Sequence, residues 1–460
     1  MPTVDPPFTT FLPPWLATQR WYTGKGRTPE LARVGGLRLQ DPAGEVGIEV
    51  WLLRDTSGPV PVLYQVPLTY RGAPVDGLEH ALVATATHSE LGPRWVYDGC
   101  HDPVGAAALL DAVTGERELA ADGPPGTGRA RGHRAGLLPA LRVRGSSVLR
   151  GEQSNTSIIV DAVDADDPAT ARPVILKVFR VLHPGRNPDV EVQQALALAG
   201  SPHVPTPLGD VLGQWPDGGH QVEGHLAFAQ EFLPGVQDAW RVALAALAAG
   251  EDLGPRARAL GEATAEVHAT LAAVLPTSRA EESSRTTALA TWRARYADAC
   301  AEVPALSARA AEVQAVLAAG AEAGWPLLQR IHGDYHLGQV IDAPGRGWVL
   351  LDFEGEPLRP LAERTLPDLP QRDVAGMLRS FDYAAASVPG AADAPGWAAR
   401  ARAAFLDGYA HLSRQDPRAE PALLRALELD KALYEVVYEA RNRPDWLPIP
   451  LAGVDRLLGA

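Results

Sequence analysis

The sequence predicts an α+β fold with its strands early and its helices late. Three patterns carry that expectation. Residues 33–70 run as short alternating apolar segments, separated by turns such as Asp41-Pro-Ala-Gly44 and Asp55-Thr-Ser-Gly58. Alternation of period two, cut by turn residues, marks an antiparallel meander. Residues 141–180 repeat the rhythm of strand, polar loop and strand. From 238 to 325 the chain turns rich in Ala, Leu, Glu and Arg, with apolar residues three and four apart, the helical period. The 460 residues therefore divide into an N-terminal cap domain (1–125), an intermediate sheet-rich subdomain (136–233) and a C-terminal helical lobe (234–460). The Gly, Pro and Arg stretch at 121–135 reads as the linker between the first two.

Composition narrows the function. A hydrophobic content of 46% allows a sizeable core. The net charge of −14 repels nucleic acid and anionic membrane surfaces, so neither is an expected partner. Cys100 and Cys300 form neither a disulfide framework nor a paired metal motif, which fits a reducing cytoplasm. The first residues lack a basic segment followed by an apolar one, and no run of eighteen apolar residues occurs, so neither signal peptide nor membrane span is expected.

The elements follow in order. A short helix is expected after Pro13-Pro14. Gly24-Lys25-Gly26-Arg27 looks like a phosphate loop but has no preceding strand and no Ser or Thr after the lysine, so it reads as a turn. Strands are expected at 34–39, 46–53 and 60–66, then a helix at 103–113. Glu79, His80, His88, His101 and Asp102 match no zinc spacing. The polar loop at 152–157 carries Ser154 and Asn155, placed to close over phosphates between two strands.

Lys177 stands inside the apolar run 174–179, where a lysine is costly unless its ammonium is paired or reaches a ligand. Glu191 follows in the helix expected at 189–198, a spacing that suits a strand lysine held by a helix carboxylate; Asp189 sits near that helix's positive end. Gln230, Glu231 and Leu233 lie where a strand runs out into Pro234-Gly235, a place for backbone groups to meet an adenine edge. His268 sits among Leu260, Ala263, Val267 and Leu271 and reads as a packed helix residue. Further helices are expected from Asp373, taken as an N-terminal cap, at 397–411 and at 421–442.

The densest chemistry is the stretch Arg330-Ile-His-Gly-Asp-Tyr-His-Leu-Gly-Gln339, followed by Trp348-Val-Leu-Leu-Asp-Phe-Glu354. The first piece reads as a turn bracketed by Gly333 and Gly338, the second as a buried strand delivering Asp352 and Glu354 at its end. An aspartate in a loop, with an amide and a second aspartate a few residues on, is what phosphoryl transfer needs. Asp334 would accept the proton of an attacking hydroxyl, while Gln339, Asp352 and Glu354 would hold Mg2+ on ATP. His332 and His336 stand four apart, but HExxH is absent and Gly333 argues against a helix, so a zinc hydrolase is not expected.

Taken in this order, the chain resembles the actinobacterial maltokinases and glucosamine kinases, within the aminoglycoside-phosphotransferase-like kinases. His332-Gly-Asp-Tyr-His336 looks like the family's catalytic loop, and Gln339 stands where the wider superfamily usually has Asn. Asp352-Phe-Glu-Gly-Glu-Pro357, Arg372-Asp-Val-Ala-Gly-Met377, Gln19-Arg-Trp-Tyr22 and Glu152-Gln-Ser-Asn-Thr156 match the narrower branch. The resemblance implies a two-lobed, protein-kinase-like fold with an N-terminal cap and an ATP-binding middle subdomain. It also implies a sugar kinase, acting as a monomer or homodimer. Glucosamine is the expected acceptor; maltose, or an aminoglycoside, is the alternative. Glu435, Glu439 and Asn442 fall on one face of the last long helix, followed by Arg443 and Trp446. With Asp334 and His336 they form the expected sugar site, since an ammonium prefers a charged acceptor and an indole offers a stacking platform.

Overall fold

The computed structural model describes residues 3–122, 129–136, 139–149, 155–356, 359–388, 390–413 and 415–459. The chain forms two compact units, Met1–Val190 with Thr206–Pro234, and Glu191–Pro205 with Gly235–Ala460.

The first unit is built on a fourteen-stranded sheet. The expected meander is present: Leu31–Leu39, Gly47–Asp55 and Val62–Arg71 pair antiparallel. Ile48, Val50 and Leu52 pack in the cluster that includes Ala106 and Leu109 of the helix Pro103–Thr114. Trp51 and Leu53 pack in another, with Phe11, Leu12 and Leu16 of the helix Phe8–Thr18. Both faces of this strand are covered, which is why its apolar residues run on rather than alternate strictly. The first helix starts at Phe8, earlier than expected, and contains Pro13 and Pro14. The carbonyls that the prolines leave without an N–H belong to Thr9 and Thr10, both exposed, where water serves.

Of the expected linker, residues 129–134 are strand, and residues 123–128 lie outside the described residues. Arg129–Arg134 pairs with Glu118–Ala121 on one side and with Pro207–Asp217 on the other. Its arginines at 129, 131 and 134 are exposed, while Ala130 and Gly132 are buried. A Cβ at Gly132 would lie 2.0 Å from the Ala112 carbonyl oxygen, so glycine here is a close-packing residue, not a mark of loose chain. The cap and the intermediate subdomain, expected as separate domains, thus share one sheet and one unit. A buried ion pair fastens them: Arg180 Nη2 donates to both oxygens of Asp98 at 2.8 and 2.7 Å. Its Nε donates to Thr156 Oγ1 at 2.8 Å, and its guanidinium lies 4.8 Å from the Trp21 ring centroid.

The second unit is helical, with Ala239–Ala248, Gly254–Val274, Glu282–Glu302, Ala310–Glu322, Gln371–Ala386, Ala394–Ser413, Pro421–Asn442 and Pro448–Leu458. Leu260, Leu271, Trp292, Leu317, Met377, Phe381, Phe405 and Leu433 belong to its single large core. A small sheet of Gln237–Asp238, Val340–Ala343 and Gly347–Leu350 carries the segment that ends in Asp352. Among the described residues no helix is long and apolar enough to cross a membrane.

Candidate active site

The loop 332–339 in the second unit is held from beneath by Asp373. Asp373 was expected to cap its own helix; instead the helix already begins at Gln371 and Asp373 lies inside its first turn. Its carboxylate accepts the backbone N–H of His332 (2.7 Å) and of Gly333 (2.9 Å), and the Nε2–H of His268 (3.0 Å). Burial works against its ionised form, but the hydrogen bond from His268, with the backbone donors, outweighs that and lowers its pKa. His268 is a packed helix residue, as expected, and its Nδ1 accepts from Tyr409 Oη at 2.9 Å. His332 has one consistent tautomer: Nε2–H donates to the Leu351 carbonyl at 2.8 Å and Nδ1 accepts from Asp334 N at 3.4 Å.

Asp334 is thereby presented at a cavity of about 420 Å³. His336, Tyr383, Lys431, Glu435, Glu439, Arg443 and Trp446 also line it, so most of the expected sugar residues come together. Asn442 does not: it is exposed, outside the lining, and its amide donates to the Tyr438 carbonyl of its own helix. His336 caps the turn Leu337–Gln339 through Nδ1, and burial lowers its pKa so that it is neutral near pH 7. Glu435 Oε2 is gripped by Arg379 at 3.0 and 2.7 Å. Burial nonetheless raises the Glu435 pKa, with Arg379 opposing. Glu439 is gripped by Arg443 at 2.9 and 2.6 Å and accepts from Tyr383 Oη at 3.3 Å. Trp446 stacks on Tyr383 at 6.3 Å and lies under the Arg443 guanidinium at 4.7 Å.

The most consequential residue that the sequence did not reveal is Lys431. Its Nζ donates to Asp334 Oδ1 at 3.0 Å and to Glu356 Oε1 at 3.1 Å. Burial opposes its charge, yet Asp334, Glu356 and Glu435 hold its pKa above the ordinary lysine value. One signal could have found it: Lys431, Glu435 and Glu439 are successive steps of four along one helix, so the polar face extends a turn further back.

Asp352 follows the strand Gly347–Leu350 in the left-handed region, at φ 63°. That conformation is uncommon for any residue but glycine, though aspartate tolerates it better than most. Gln339 Nε2 donates to Asp352 Oδ2 at 3.2 Å, and carboxylate oxygens of Asp352 and Glu354 lie within 4.8 Å of each other. An all-oxygen set of one amide and two carboxylates fits a hard divalent cation such as magnesium.

The expected nucleotide residues lie in the first unit, apart from Glu191. Lys177 is 7% exposed on a strand flanked by neighbours on both sides, paired with Ser157 and Phe228, so it is no snorkelling edge residue. Its Nζ sits 2.8 Å from Asp189 Oδ2. The expected pairing with Glu191 is thus corrected: the carboxylate beside the lysine is Asp189, two residues earlier. Asn187 accepts from the N–H of Asp189 and so sets the helix start, which turns Asp189 toward the strand. Glu191 is instead held by Arg330 within the second unit. Asn155 opens the strand Asn155–Asp164, half-buried. Gln230 is buried at the end of the strand His220–Glu231, and Glu231 accepts from Thr206 Oγ1 at 3.0 Å. Leu233 is half-buried just beyond that strand. Ser154 lies outside the described residues.

Residues 15–102 match the maltokinase N-terminal cap domain and residues 148–415 the phosphotransferase enzyme family. The glucosamine kinase of Mycolicibacterium smegmatis is 32% identical over 384 residues, 79% of this chain and 90% of that protein. That of Streptacidiphilus jiangxiensis is 30% identical over 403 residues, 77% and 88% of the two chains. In fold, the chain matches a glucosamine kinase solved in complex with glucosamine, ADP and inorganic phosphate, at TM-score 0.66 and 23% identity, covering 98% of this chain and 100% of that one. With its loop 332–339, its Asp352 turn and a family match over more than half its length, this chain belongs to the phosphotransferase enzyme family.

Proposed function

We propose that the chain is an ATP- and magnesium-dependent glucosamine kinase of the cytoplasm, converting D-glucosamine and ATP to glucosamine 6-phosphate and ADP. The observation that carries this reading is a pair of carboxylate oxygens on residues lining one cavity. Asp334 Oδ2 and Glu435 Oε1 accept no hydrogen bond among the described residues, although the other oxygen of each is held. One serves an acceptor hydroxyl and the other an acceptor ammonium. Two relatives at 30% and 32% identity that are themselves glucosamine kinases support it.

In this reading Asp334 orients the hydroxyl and takes its proton as the bond to phosphorus forms. Lys177, paired with Asp189, balances the charge of the non-transferring phosphates, and Asn155 lies over them; Ser154, expected beside it, is outside the described residues. Gln230, Glu231 and Leu233 border the adenine. Gln339, Asp352 and Glu354 hold magnesium, which when bound draws charge from the phosphate oxygens. His336, Glu439, Arg443 and Trp446 shape the sugar site. Glu191 acts indirectly, by holding Arg330 at the start of the catalytic loop.

A second reading, phosphorylation of maltose to maltose 1-phosphate, is favoured by the maltokinase cap match. Glu439, with both oxygens engaged by Arg443, can accept from sugar hydroxyls as readily as from an amine. An ADP-release assay with glucosamine, maltose and an aminoglycoside separates the readings. We expect kcat/KM for glucosamine at least about tenfold above the others. The reverse order selects maltose, and no turnover with any of the three overturns the sugar-kinase reading.

A further inference from the structure

Glu356, the second glutamate of Asp352-Phe-Glu-Gly-Glu356, has no part in the reaction as described so far. It is only 2% exposed, deeper than Asp334. It accepts from Lys431 Nζ at 3.1 Å and from Arg295 Nη2 at 3.3 Å. Arg295 also grips Asp430 at 2.8 Å, and Asp430 is gripped by Arg372 at 2.9 Å. Charges of alternating sign thus run under the cavity and end at one ammonium, that of Lys431. Glu356 thus meets a cation on each of its two oxygens, which fixes the lysine from the side away from Asp334.

We propose that Lys431, fixed by Glu356, is a positioning residue of the transfer step: it pins Asp334 by Oδ1 and so keeps Oδ2 turned to the acceptor hydroxyl. This rests on the kinase reading above. A carboxylate turns about its last bond between two nearly equivalent settings. A base that has to meet a hydroxyl along one line loses rate when it turns freely, because the reacting geometry is then sampled less often. Of the carboxylates in this chain of ion pairs, Asp334 is the one that lines the cavity, a place where a purely structural pair would have no reason to end. Buried pairs of that kind are commonly replaceable by apolar residues without loss.

The test uses the full-length protein, with glucosamine, ATP and magnesium. Lys431→Met keeps the side chain's bulk and removes the pin. We expect kcat to fall ~100-fold while KM for glucosamine stays within about threefold. Glu356→Gln, which does not touch Asp334, is expected to lower kcat about tenfold through a loosened Lys431. Lys431→Met/Glu356→Gln is expected to be no slower than Lys431→Met alone, because the glutamate acts only through the lysine. Additive losses, or a Lys431→Met enzyme within about twofold of the parent kcat, overturn the proposal. Should Lys431→Met fail to fold, Glu356→Gln decides, since an unchanged kcat overturns it equally. A parent enzyme that turns over none of the sugars strikes the kinase reading instead, so the two failures are told apart.

Discussion

Asp373 ties the loop 332–339 to the helix beneath it. Three N–H donors converge on its two oxygens, two from the backbone of the catalytic loop and one from His268. Asp373→Asn keeps the size but offers one acceptor oxygen where two are used. One backbone N–H is then buried against an NH2 group. We expect a stability loss of about 1–3 kcal/mol in urea unfolding, with a fall in kcat larger than any rise in KM. A variant as stable and as fast as the parent would show that the loop holds itself. Asp334→Ala is the complementary change: it should abolish turnover and leave ATP binding intact, measured by calorimetry, because its carboxylate meets only the acceptor side of the reaction. At this scale the sequence was most readable where the chemistry is local. Asp334, Gln339 and Asp352 fall within nineteen residues, and the last two are hydrogen-bonded to each other. Lys431 is 97 residues from Asp334, and no spacing rule links a helix lysine to a distant loop.

At the scale of elements, the helix Gln371–Ala386 is the platform on which the catalytic loop rests, and Gly376 is where they meet. A Cβ at Gly376 would stand 2.5 Å from the backbone carbonyl oxygen of Tyr335, too close for any side chain. In an exposed helix interior, Gly→Ala stabilises by about 1 kcal/mol. Here the clash is with backbone, which cannot swing aside, so overpacking wins. We expect Gly376→Ala to destabilise by about 1–3 kcal/mol and to lower kcat by displacing Asp334, one residue before Tyr335. A gain in thermal midpoint would refute the contact. Start and stop signals found this helix, from Asp373, and the long one at Pro421–Asn442, which Pro444 closes. They missed the strand Arg129–Arg134, whose exposed arginines and packing glycine imitate a flexible linker. The pairing of Lys177 with Asp189 rather than Glu191 was hidden for a related reason: where a helix begins decides which carboxylate faces the strand, and Asn187 sets that beginning.

For the molecule as a whole, both units hold buried carboxylates whose pKa values lie below the ordinary range, and this fixes how stability depends on pH. In the first unit Asp102 is buried, which works against its charge, yet Arg71 at 2.7 and 2.6 Å, with Val104 N–H and Thr69, outweighs that. In the second unit Asp373 is lowered and Glu356 is held at about 2 against an ordinary 4.5. When a folded pKa lies below the unfolded one, the unfolded chain takes up the proton first as pH falls. The stabilisation is then complete above the unfolded pKa and is lost as pH drops through the folded one. For Glu356 that window runs from 4.5 down to about 2, and the full shift corresponds to about 3 kcal/mol at most. Glu435 has the opposite sign, because burial raises its pKa, so its protonation relieves a cost as pH falls. Three lowered groups against one raised group leave the net slope positive in the acid range. The thermal midpoint should therefore be nearly flat from pH 8 to about 6 and fall steeply between about 4.5 and 3. Glu356→Gln should lower the midpoint at pH 7 and flatten that acid fall, bringing the two curves together only near pH 2. Parallel curves would show that Glu356 is not the ionised anchor beneath Lys431.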